Sequence, residues 1–223
     1  MNIAIIVFAG KGTRINSKTP KQFIKVNGKD VVSYTIDVFE KHPLIDGIIL
    51  VTSEEYLAYT KNMVFSHRYS KIYNVVAGGK TRQESVRNGL NSMNYGEGDY
   101  ALIHDGDRPF IKDTIITNAI MALRKYDAVT VAIKSDEGLN GVKNLGRKII
   151  KDGISYDVQT PQCFRYTLIK DAHNKLKDEE FVDDASLIEK EGGYVHLIDG
   201  DPMNFKITTD EDLAFFKKEM GRK

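Results

Sequence analysis

The residues of this chain best suited to chemistry lie in a short loop close to its start. The apolar run Ile3–Val7 leads directly into the loop Gly10–Arg14, which contains two glycines and two cations. Backbone N–H groups and fixed positive charge can converge on one anion in such a loop. Lys21 adds a third cation shortly afterwards. The sequence therefore predicts a polyphosphate site here, although it lacks the spacing of a Walker A loop or a complete dinucleotide fingerprint.

Two further polar clusters follow predicted strands. Gly78–Ser85 comes after the apolar segment Ile72–Ala77, and His104–Pro109 follows a second apolar segment. Ligands bind at the carboxyl ends of the strands in an open parallel sheet, so we expect both clusters to share one rim with the phosphate loop. Mg²⁺ is commonly held by one or two Asp carboxylates together with substrate phosphates. Asp105 is therefore the predicted magnesium ligand, whereas His104 is expected to be packed and hydrogen bonded.

An alternation of strands and helices positions these clusters. Short apolar runs predict strands, and apolar residues at helical spacing predict the helices between them. The further predicted strands are Gly47–Val51, Ala128–Ile133 and Tyr194–Ile198, and the predicted helices start after Asp30, at Arg82, at Ile115 and after Thr209. This order predicts an α/β fold with a mostly parallel sheet and helices on both faces, in a single domain that spans residues 1–223.

Three segments depart from this alternation. Residues 134–156 contain several glycines and lysines and short apolar pairs, so we predict a projecting β-arm. Gln159–Gln162 holds a proline between polar residues and is predicted to be a rigid turn. Asn204–Thr208 alternates polar with apolar residues and is predicted to be a strand before the final helix.

The composition restricts the partners of the protein. A formal net charge of +1 over 223 residues gives no overall attraction to nucleic acid. No apolar run approaches the roughly 20 residues that span a bilayer, so no membrane insertion is expected. The single cysteine, Cys163, fits a reducing compartment, and we expect a cytoplasmic protein.

Taken together, these motifs resemble one family of enzymes along nearly the whole chain. The residues that carry the resemblance form seven motifs: Ala9–Arg14, Pro20–Phe23, Gly78–Gly79 with Arg82 and Ser85–Val86, His104–Asp105 with Arg108–Pro109, Thr160–Gln162 with Phe164, Asp183–Ala185, and Asn204 with Lys206–Thr208. They are similar to the cytidylyltransferases that act on 2-C-methyl-D-erythritol 4-phosphate or ribitol 5-phosphate. The resemblance implies a Rossmann-like nucleotidyltransferase fold, CTP as substrate with Mg²⁺ as cofactor, and a homodimer joined through the β-arm, which would also complete each active site.

The resemblance also implies a role for individual residues. It gives catalytic roles to Arg14, Lys21 and Lys206, which would face the reacting phosphates. The nucleotide would be bound by Ala9, Gly10, Gly12, Thr13, Gly79, Ser85 and Asp105. Asp105 would hold the metal as well, and the acceptor would be bound by Asp105, Arg108, Ser135 and Lys151.

Three features on the acceptor side differ from the family, and one is the run Lys134-Ser135-Asp136, which stands where the methylerythritol enzymes have an Asp-Thr pair. Seven residues before the first Gln of the Gln-Thr-Pro-Gln motif, the family has an arginine that reaches the acceptor phosphate of the neighbouring subunit, whereas this chain has Asp152. Asp107 stands where relatives usually have a small or apolar residue. Because a carboxylate repels a phosphate, we expect Lys151, Arg147 or Lys143 to replace the arginine, or the phosphate to bind elsewhere.

The sequence thus predicts an enzyme that transfers CMP from CTP to a sugar-alcohol phosphate and releases pyrophosphate. The departures favour a polyol phosphate such as ribitol 5-phosphate, used for capsule or wall polymers. The alternative acceptor is 2-C-methyl-D-erythritol 4-phosphate, used for isoprenoids. Two other classes stay open: a nicotinamide-dependent oxidoreductase, which should have a third glycine in the loop, and a nucleotide-binding module without catalysis.

Overall fold

A central sheet organises the part of the chain described by the computed structural model, which comprises residues 1–10, 12, 15, 17, 19–92, 94–96, 98–135 and 147–221. In chain order the strands are β1 (Asn2–Val7), β2 (Lys25–Val26), β3 (Lys29–Asp30), β4 (Gly47–Thr52), β5 (Ile72–Ala77), β6 (Tyr100–Asp105), β7 (Ala128–Lys134), β8 (Lys148–Lys151), β9 (Ile154–Arg165) and β10 (His196–Asp199). The α-helices are α1 (Val31–Lys41), α2 (Leu57–His67), α3 (Arg82–Asn91), α4 (Asp113–Leu123), α5 (Tyr166–Lys175), α6 (Asp184–Lys190) and α7 (Asp210–Met220). None of the helices in these described ranges is long and apolar enough to cross a membrane.

The sheet is mostly parallel, as predicted. Its strand order is β10-β7-β9-β6-β1-β4-β5, with β8 paired to β9 at the side, while β2 and β3 form a separate small hairpin. Only the pairs that involve β9 are antiparallel in this sheet, within the described residues. The carboxyl ends of β1, β4, β5 and β6 therefore lie at one edge, where open parallel sheets bind ligands.

Helices cover both faces of the sheet, which also confirms the predicted fold class. In β1, Ala4 and Ile6 pack towards α1 and α4, whereas Ile3 and Ile5 pack towards α3 and α5. All four side chains are completely buried. A strand buried on both faces is apolar at every position rather than at every second one, and this explains the continuous apolar run at the start of the chain.

The segment Asn204–Thr208 is not a strand in the structure. Its apolar members, Phe205 and Ile207, are fully buried against α7. The alternation that predicts a strand thus reflects an extended segment packed on a helix. The helix itself begins where predicted, because the Thr209 side chain accepts a hydrogen bond from the backbone N–H of Asp212 in a capping box.

The predicted turn at Gln159–Gln162 is also wrong, because these residues lie inside β9. The ladder between β7 and β9 shifts register between Thr130 and Ala132, next to Pro161. A proline is tolerated at such an irregularity, since it cannot donate to a regular ladder.

Part of the predicted β-arm is visible as a hairpin. Strand β8 pairs with the beginning of β9, and Asp152 and Gly153 form the turn with positive φ angles of 51° and 78°. The remainder of the arm, residues 136–146, lies outside the described residues, and so does Lys143.

Candidate active site

A cleft of about 880 Å³ opens at the carboxyl ends of β1, β5 and β6. It brings together the three polar clusters that follow these strands in the sequence. The predicted site residues that line it are Ala9, Gly10, Gly12, Lys21, Gly79, Ser85, Asp105 and Lys206. Two other predicted site residues, Thr13 and Arg14, lie outside the described residues. The rim expected from a parallel sheet is therefore the place where these side chains meet.

The start of the phosphate loop is fixed by Gln22, a residue for which the sequence predicts no such role. The Gln22 side-chain amide donates hydrogen bonds to the carbonyls of Phe8, at 2.8 Å, and Gly10, at 2.7 Å. Gly12 has a φ of 63°, and a Cβ there would lie 3.3 Å from the Lys21 Cγ atom. A glycine is favoured because it alone adopts this conformation without steric cost.

The second glycine pair lies against the start of α3. A Cβ on Gly78 would come within 2.4 Å of the Ala9 Cβ atom, so only glycine lets the two loops approach this closely. Ser85 holds the turn, since its hydroxyl accepts from the Gly79 N–H at 2.9 Å and donates to the Thr81 carbonyl at 2.8 Å. Ser85 and Gly79 thus lie in the cleft wall with their polar groups bonded to each other.

Asp105 lies at the centre of a cluster of cations. Its carboxylate is 3.0 Å from Arg82 Nε, 3.1 Å from Lys206 Nζ and 3.4 Å from Arg108 Nε. Burial alone would raise the pKa of Asp105, but the positive charges of Lys206, Arg82 and Arg108 hold it well below its ordinary value. Asp105 is therefore ionised at neutral pH and fixes three cations around one point.

Asp107 forms the second carboxylate of the cleft. Its side chain is buried rather than solvated, with Oδ2 at 2.6 Å from Lys21 Nζ and Oδ1 at 3.6 Å from Lys206 Nζ. Lys21 also donates to the carbonyl of Ile207 at 2.5 Å. Asp107 thus holds together the two lysines that the resemblance places beside the reacting phosphates.

A smaller cavity of about 80 Å³ adjoins the cleft. It shares Arg82, Asp105 and Lys206 with the cleft and adds Arg108 and Arg147. Its other lining residues are Val158, Gln159, Thr160, Gln162, Val182 and Asp183. The two cavities meet at Asp105. Two ligands, one bound in each cavity, would therefore approach each other at this carboxylate.

The start of α6 orients the arginines of this cavity. Asp183 accepts from Arg147 Nε at 3.1 Å, and Asp184 accepts from Arg82 Nη1 at 2.7 Å and interacts with His173 Nε2 at 3.0 Å. Burial would raise the pKa of Asp184, but Arg82 and His173 keep it below its ordinary value. A carboxylate pair at the start of a helix suits the helix dipole, and here it also positions two cations.

The remaining predicted acceptor residues lie at different distances from this cavity. Arg108 is buried in its wall and donates to the Asn204 carbonyl at 2.8 Å. Ser135 donates to Asp157 at 3.2 Å, where the arm leaves the sheet. Lys151 is exposed on β8. Neither Ser135 nor Lys151 is among the described lining residues of the two cavities.

A buried hydrogen-bond chain joins the backbone of Asp105 to that of Arg108. The Asp105 N–H donates to Thr160 Oγ1 at 3.1 Å. His104 Nε2 donates to the Arg108 carbonyl at 3.3 Å, so Nδ1 of the neutral ring accepts from the Thr160 hydroxyl at 3.0 Å. Burial lowers the pKa of His104 to about 4, so the ring is neutral and packed, as expected.

The carboxylates of the cleft fit a divalent cation that is bound together with a substrate. Asp105 and Asp107 both line the cleft, and the buried Asp107 Oδ1 accepts no hydrogen bond in the described part of the chain. No group of three or more His, Cys, Asp or Glu side chains among the described residues could hold a metal by itself. This donor set suits Mg²⁺, which takes one or two carboxylates and completes its shell with phosphates and water.

Known proteins resemble this chain over its whole length. Residues 2–221 match the family model of 2-C-methyl-D-erythritol 4-phosphate cytidylyltransferase. The protein of that name from Clostridium novyi (strain NT) is 43% identical, over 95% of this chain and 93% of its own length. Its namesake from Clostridium acetobutylicum is 40% identical, over 96% of this chain and 94% of its own length.

A solved structure agrees with these relatives. The 4-diphosphocytidyl-2C-methyl-D-erythritol synthase of Anaerococcus prevotii superposes with a TM-score of 0.79 at 32% identity, covering 99% of this chain and 96% of the other. The ranking of ribitol 5-phosphate as the favoured acceptor is therefore wrong, because relatives aligned along the whole chain carry the methylerythritol name. The departures near the acceptor side do not outweigh that agreement. The chain belongs to the 2-C-methyl-D-erythritol 4-phosphate cytidylyltransferase family.

Proposed function

We propose that this protein transfers CMP from CTP to 2-C-methyl-D-erythritol 4-phosphate and releases pyrophosphate. The observation that carries the proposal is the match of residues 2–221 to this family. The two adjoining cavities support it, because a transfer between two phosphorylated substrates needs two anion sites that meet at one point. Asp105, which lies in both cavities, marks that point.

The nucleotide would lie in the larger cleft. The backbone of Gly10 and Gly12 and the charge of Lys21 would bind the triphosphate, in the manner of other glycine loops that follow a strand. Arg14 would add a further cation from the same loop. The turn at Gly79 and Ser85, across the cleft, would bind the cytosine and its ribose.

The chemistry needs charge stabilisation more than proton transfer. A phosphate monoester has its second pKa near roughly 6, so the acceptor is already a dianion at neutral pH. One of its oxygens forms a bond to the α-phosphorus of CTP, and the bond from that phosphorus to the bridging oxygen of pyrophosphate breaks. Lys21 and Lys206 would neutralise the charge that develops on the α-phosphate. The neutral, buried His104 has no role as a base in this step.

Mg²⁺ is the proposed cofactor, and Asp105 and Asp107 are the residues that would hold it. When bound, the ion would screen the triphosphate and favour the departure of pyrophosphate. The described lining of the cleft includes four basic and four acidic side chains, and the loop cations Lys11 and Arg14 lie outside the described residues.

A pyrophosphate-release assay tests the proposed function. Purified protein with CTP, Mg²⁺ and 2-C-methyl-D-erythritol 4-phosphate should release pyrophosphate, and unphosphorylated methylerythritol should not replace the acceptor. Ribitol 5-phosphate should be a poor substrate. Binding of CTP without pyrophosphate release from any phosphorylated acceptor would instead identify a nucleotide-binding module without catalysis.

We also propose that two copies associate through the β-arm. Ile150 and Ile154, on either side of the hairpin turn, are 79% and 41% exposed. They lie on opposite faces of the hairpin, because Ile150 pairs with Ser155 and Ile154 with Lys151, so a partner packed around the arm would bury both. Light scattering should give the mass of a dimer for the wild type and of a monomer for Ile150→Lys.

A cytoplasmic location remains a prediction, supported by the single, buried Cys163.

A further inference from the structure

The smaller cavity has the charge and the size for one phosphate group. Four of its described lining side chains are basic and two are acidic, whereas the described lining of the cleft has equal numbers of each. Its volume of about 80 Å³ exceeds the roughly 10–15 Å³ that one water molecule needs. The basic residues are mainly arginines, whose planar groups match the oxygens of a phosphate in pairs.

Two of the arginines are held in place before any ligand binds. Arg147 donates to both carboxylate oxygens of Glu189, at 2.5 and 3.1 Å, and its Nε donates to Asp183. Burial would lower the pKa of Arg147, but Glu189 and Asp183 raise it, so the group is always charged. Arg82 is held by Asp184, and its buried Nη2 has no hydrogen-bond partner among the described residues. This nitrogen is a donor ready for an anion.

Arg147 reaches the cavity from the base of the arm of its own chain. Its carbonyl accepts a hydrogen bond from the Val158 N–H at 2.8 Å, so its backbone lies beside β9. Asp152 lies at the other end of the same hairpin, exposed in the turn, and is not among the described residues that line the cavity. The carboxylate that replaces the expected arginine therefore does not add negative charge to the cavity wall of its own chain, and Arg147 supplies positive charge there.

We propose that Arg147 binds the phosphate group of the acceptor in this cavity, together with Arg82 and Lys206, and thereby determines that the acceptor is phosphorylated. This inference rests on the proposed function for the identity of the acceptor. Glu189 is a positioning residue, because it holds the guanidinium of Arg147 without lining the cavity. The ligand is a phosphate monoester dianion, and the group transferred to it arrives from the adjoining cleft.

Steady-state kinetics of Arg147→Ala test this role. We expect the KM for 2-C-methyl-D-erythritol 4-phosphate to rise about 10- to 100-fold, as for the loss of a hydrogen-bonded charge, with the KM for CTP nearly unchanged. The acceptor KM of Arg147→Lys should lie between those of the wild type and Arg147→Ala, since lysine keeps the charge but not the planar fork. Glu189→Gln should raise the same KM by a smaller factor. Lys148→Ala is the matched control, because Lys148 is the neighbouring arm cation and is largely exposed, 3.9 Å from Asp157.

The outcomes separate this inference from the proposed function. If the wild type releases pyrophosphate but Arg147→Ala keeps its acceptor KM, the inference is wrong and the proposed function stands. A rise in acceptor KM for Lys151→Ala, with none for Arg147→Ala, would give the role to Lys151. If the wild type is inactive with this acceptor, calorimetry with inorganic phosphate still tests the cavity: wild type should bind it and Arg147→Ala should bind at least tenfold more weakly. Equal binding by both would overturn the inference.

A mixing experiment tests whether Arg147 serves its own chain. Lys21→Ala chains should have an inactive nucleotide cleft but an intact Arg147. Mixed with Arg147→Ala chains, they should not restore the low acceptor KM if Arg147 acts within one chain. Restoration would show that a second copy supplies the arginine and would overturn the assignment to the same chain.

Discussion

The described linings of the two cavities contain equal numbers of basic side chains, but these side chains are neutralised in different ways. In the nucleotide cleft, Lys21 and Lys206 pair with Asp105 and Asp107, which line the same cleft. In the smaller cavity, Arg147 is held by Asp183 at the cavity wall and by Glu189, which does not line it. The lysines are thus neutralised by carboxylates of their own cavity, whereas Arg147 is held partly by a carboxylate that lies outside the smaller cavity.

This difference indicates how each cavity can receive its ligand. A lysine is a flexible point charge that can exchange a carboxylate for a phosphate oxygen, whereas an arginine is a rigid fork that is oriented in advance. A nucleotide with its metal would rearrange the ion pairs of the cleft. The acceptor phosphate would enter a cavity whose donors are already in position.

Among substitutions in the cleft, the replacement of Lys21 should have the largest effect on activity. Lys21→Ala should lower kcat by about 10²- to 10³-fold, the usual cost of one group that stabilises the transition state, as measured by pyrophosphate release. It should also lower the free energy of unfolding by about 3 kcal/mol, since it leaves Asp107 buried with only the more distant Lys206. Urea denaturation measures the second effect.

A double variant separates these two consequences of the Lys21 substitution. Lys21→Ala combined with Asp107→Ala should recover most of the lost stability, because no unpaired carboxylate remains. It should recover none of the activity. A double variant with restored turnover would mean that Lys21 serves only to neutralise Asp107.

The acidic limb of the pH profile should report on the acceptor rather than on the protein. We expect kcat/KM for the acceptor to fall about tenfold per pH unit below roughly 6, where the phosphate monoester dianion gains a proton and becomes a monoanion. Because the pKa of His104 is lowered to about 4, this ring is neutral at pH 5 and above and does not contribute to the limb. His104→Asn should leave the midpoint unchanged, and a shifted midpoint would show that His104 titrates in the reaction.

The sequence predicts the nucleotide side of the molecule better than the acceptor side. The apolar strand β1, the glycines that follow it and the end of β6 are local patterns, and parallel strands bring their ends together without further information. The acceptor side depends on contacts between distant residues. Arg147 meets Glu189 and Arg82 meets Asp184 only through the packing of α6, and no local pattern indicates either pair.

Two errors in the fold have the same origin. Gln159–Gln162 has the composition of a turn, but neighbouring strands on both sides incorporate it into β9. Asn204–Thr208 has the alternation of a strand, but α7 covers its apolar side chains and the segment stays outside the sheet. In both segments tertiary contacts override a local preference, and both contribute residues to the cavities.

The Asp107→Asn variant tests whether Asp107 binds the metal or serves only as a counter-ion for the lysines of the cleft. Asp107→Asn should raise the Mg²⁺ concentration for half-maximal activity by about tenfold, because a charged oxygen donor is replaced by a neutral amide. A titration of activity with Mg²⁺ at saturating substrates measures this shift. An unchanged titration, accompanied by a lower KM for CTP, would mean that Asp107 only competes with the nucleotide for the two lysines.

Thr160 tests whether the two cavities depend on one shared scaffold. Thr160→Val keeps the shape of the side chain but leaves the Asp105 N–H and His104 Nδ1 without their partner. Two buried groups without hydrogen bonds should lower the free energy of unfolding by about 1–3 kcal/mol. Because Asp105 lines both cavities, the KM values for CTP and for the acceptor should rise together by a few-fold. A rise in only one of the two KM values would show that the cavities do not share this hydrogen-bond chain and that different contacts position their residues.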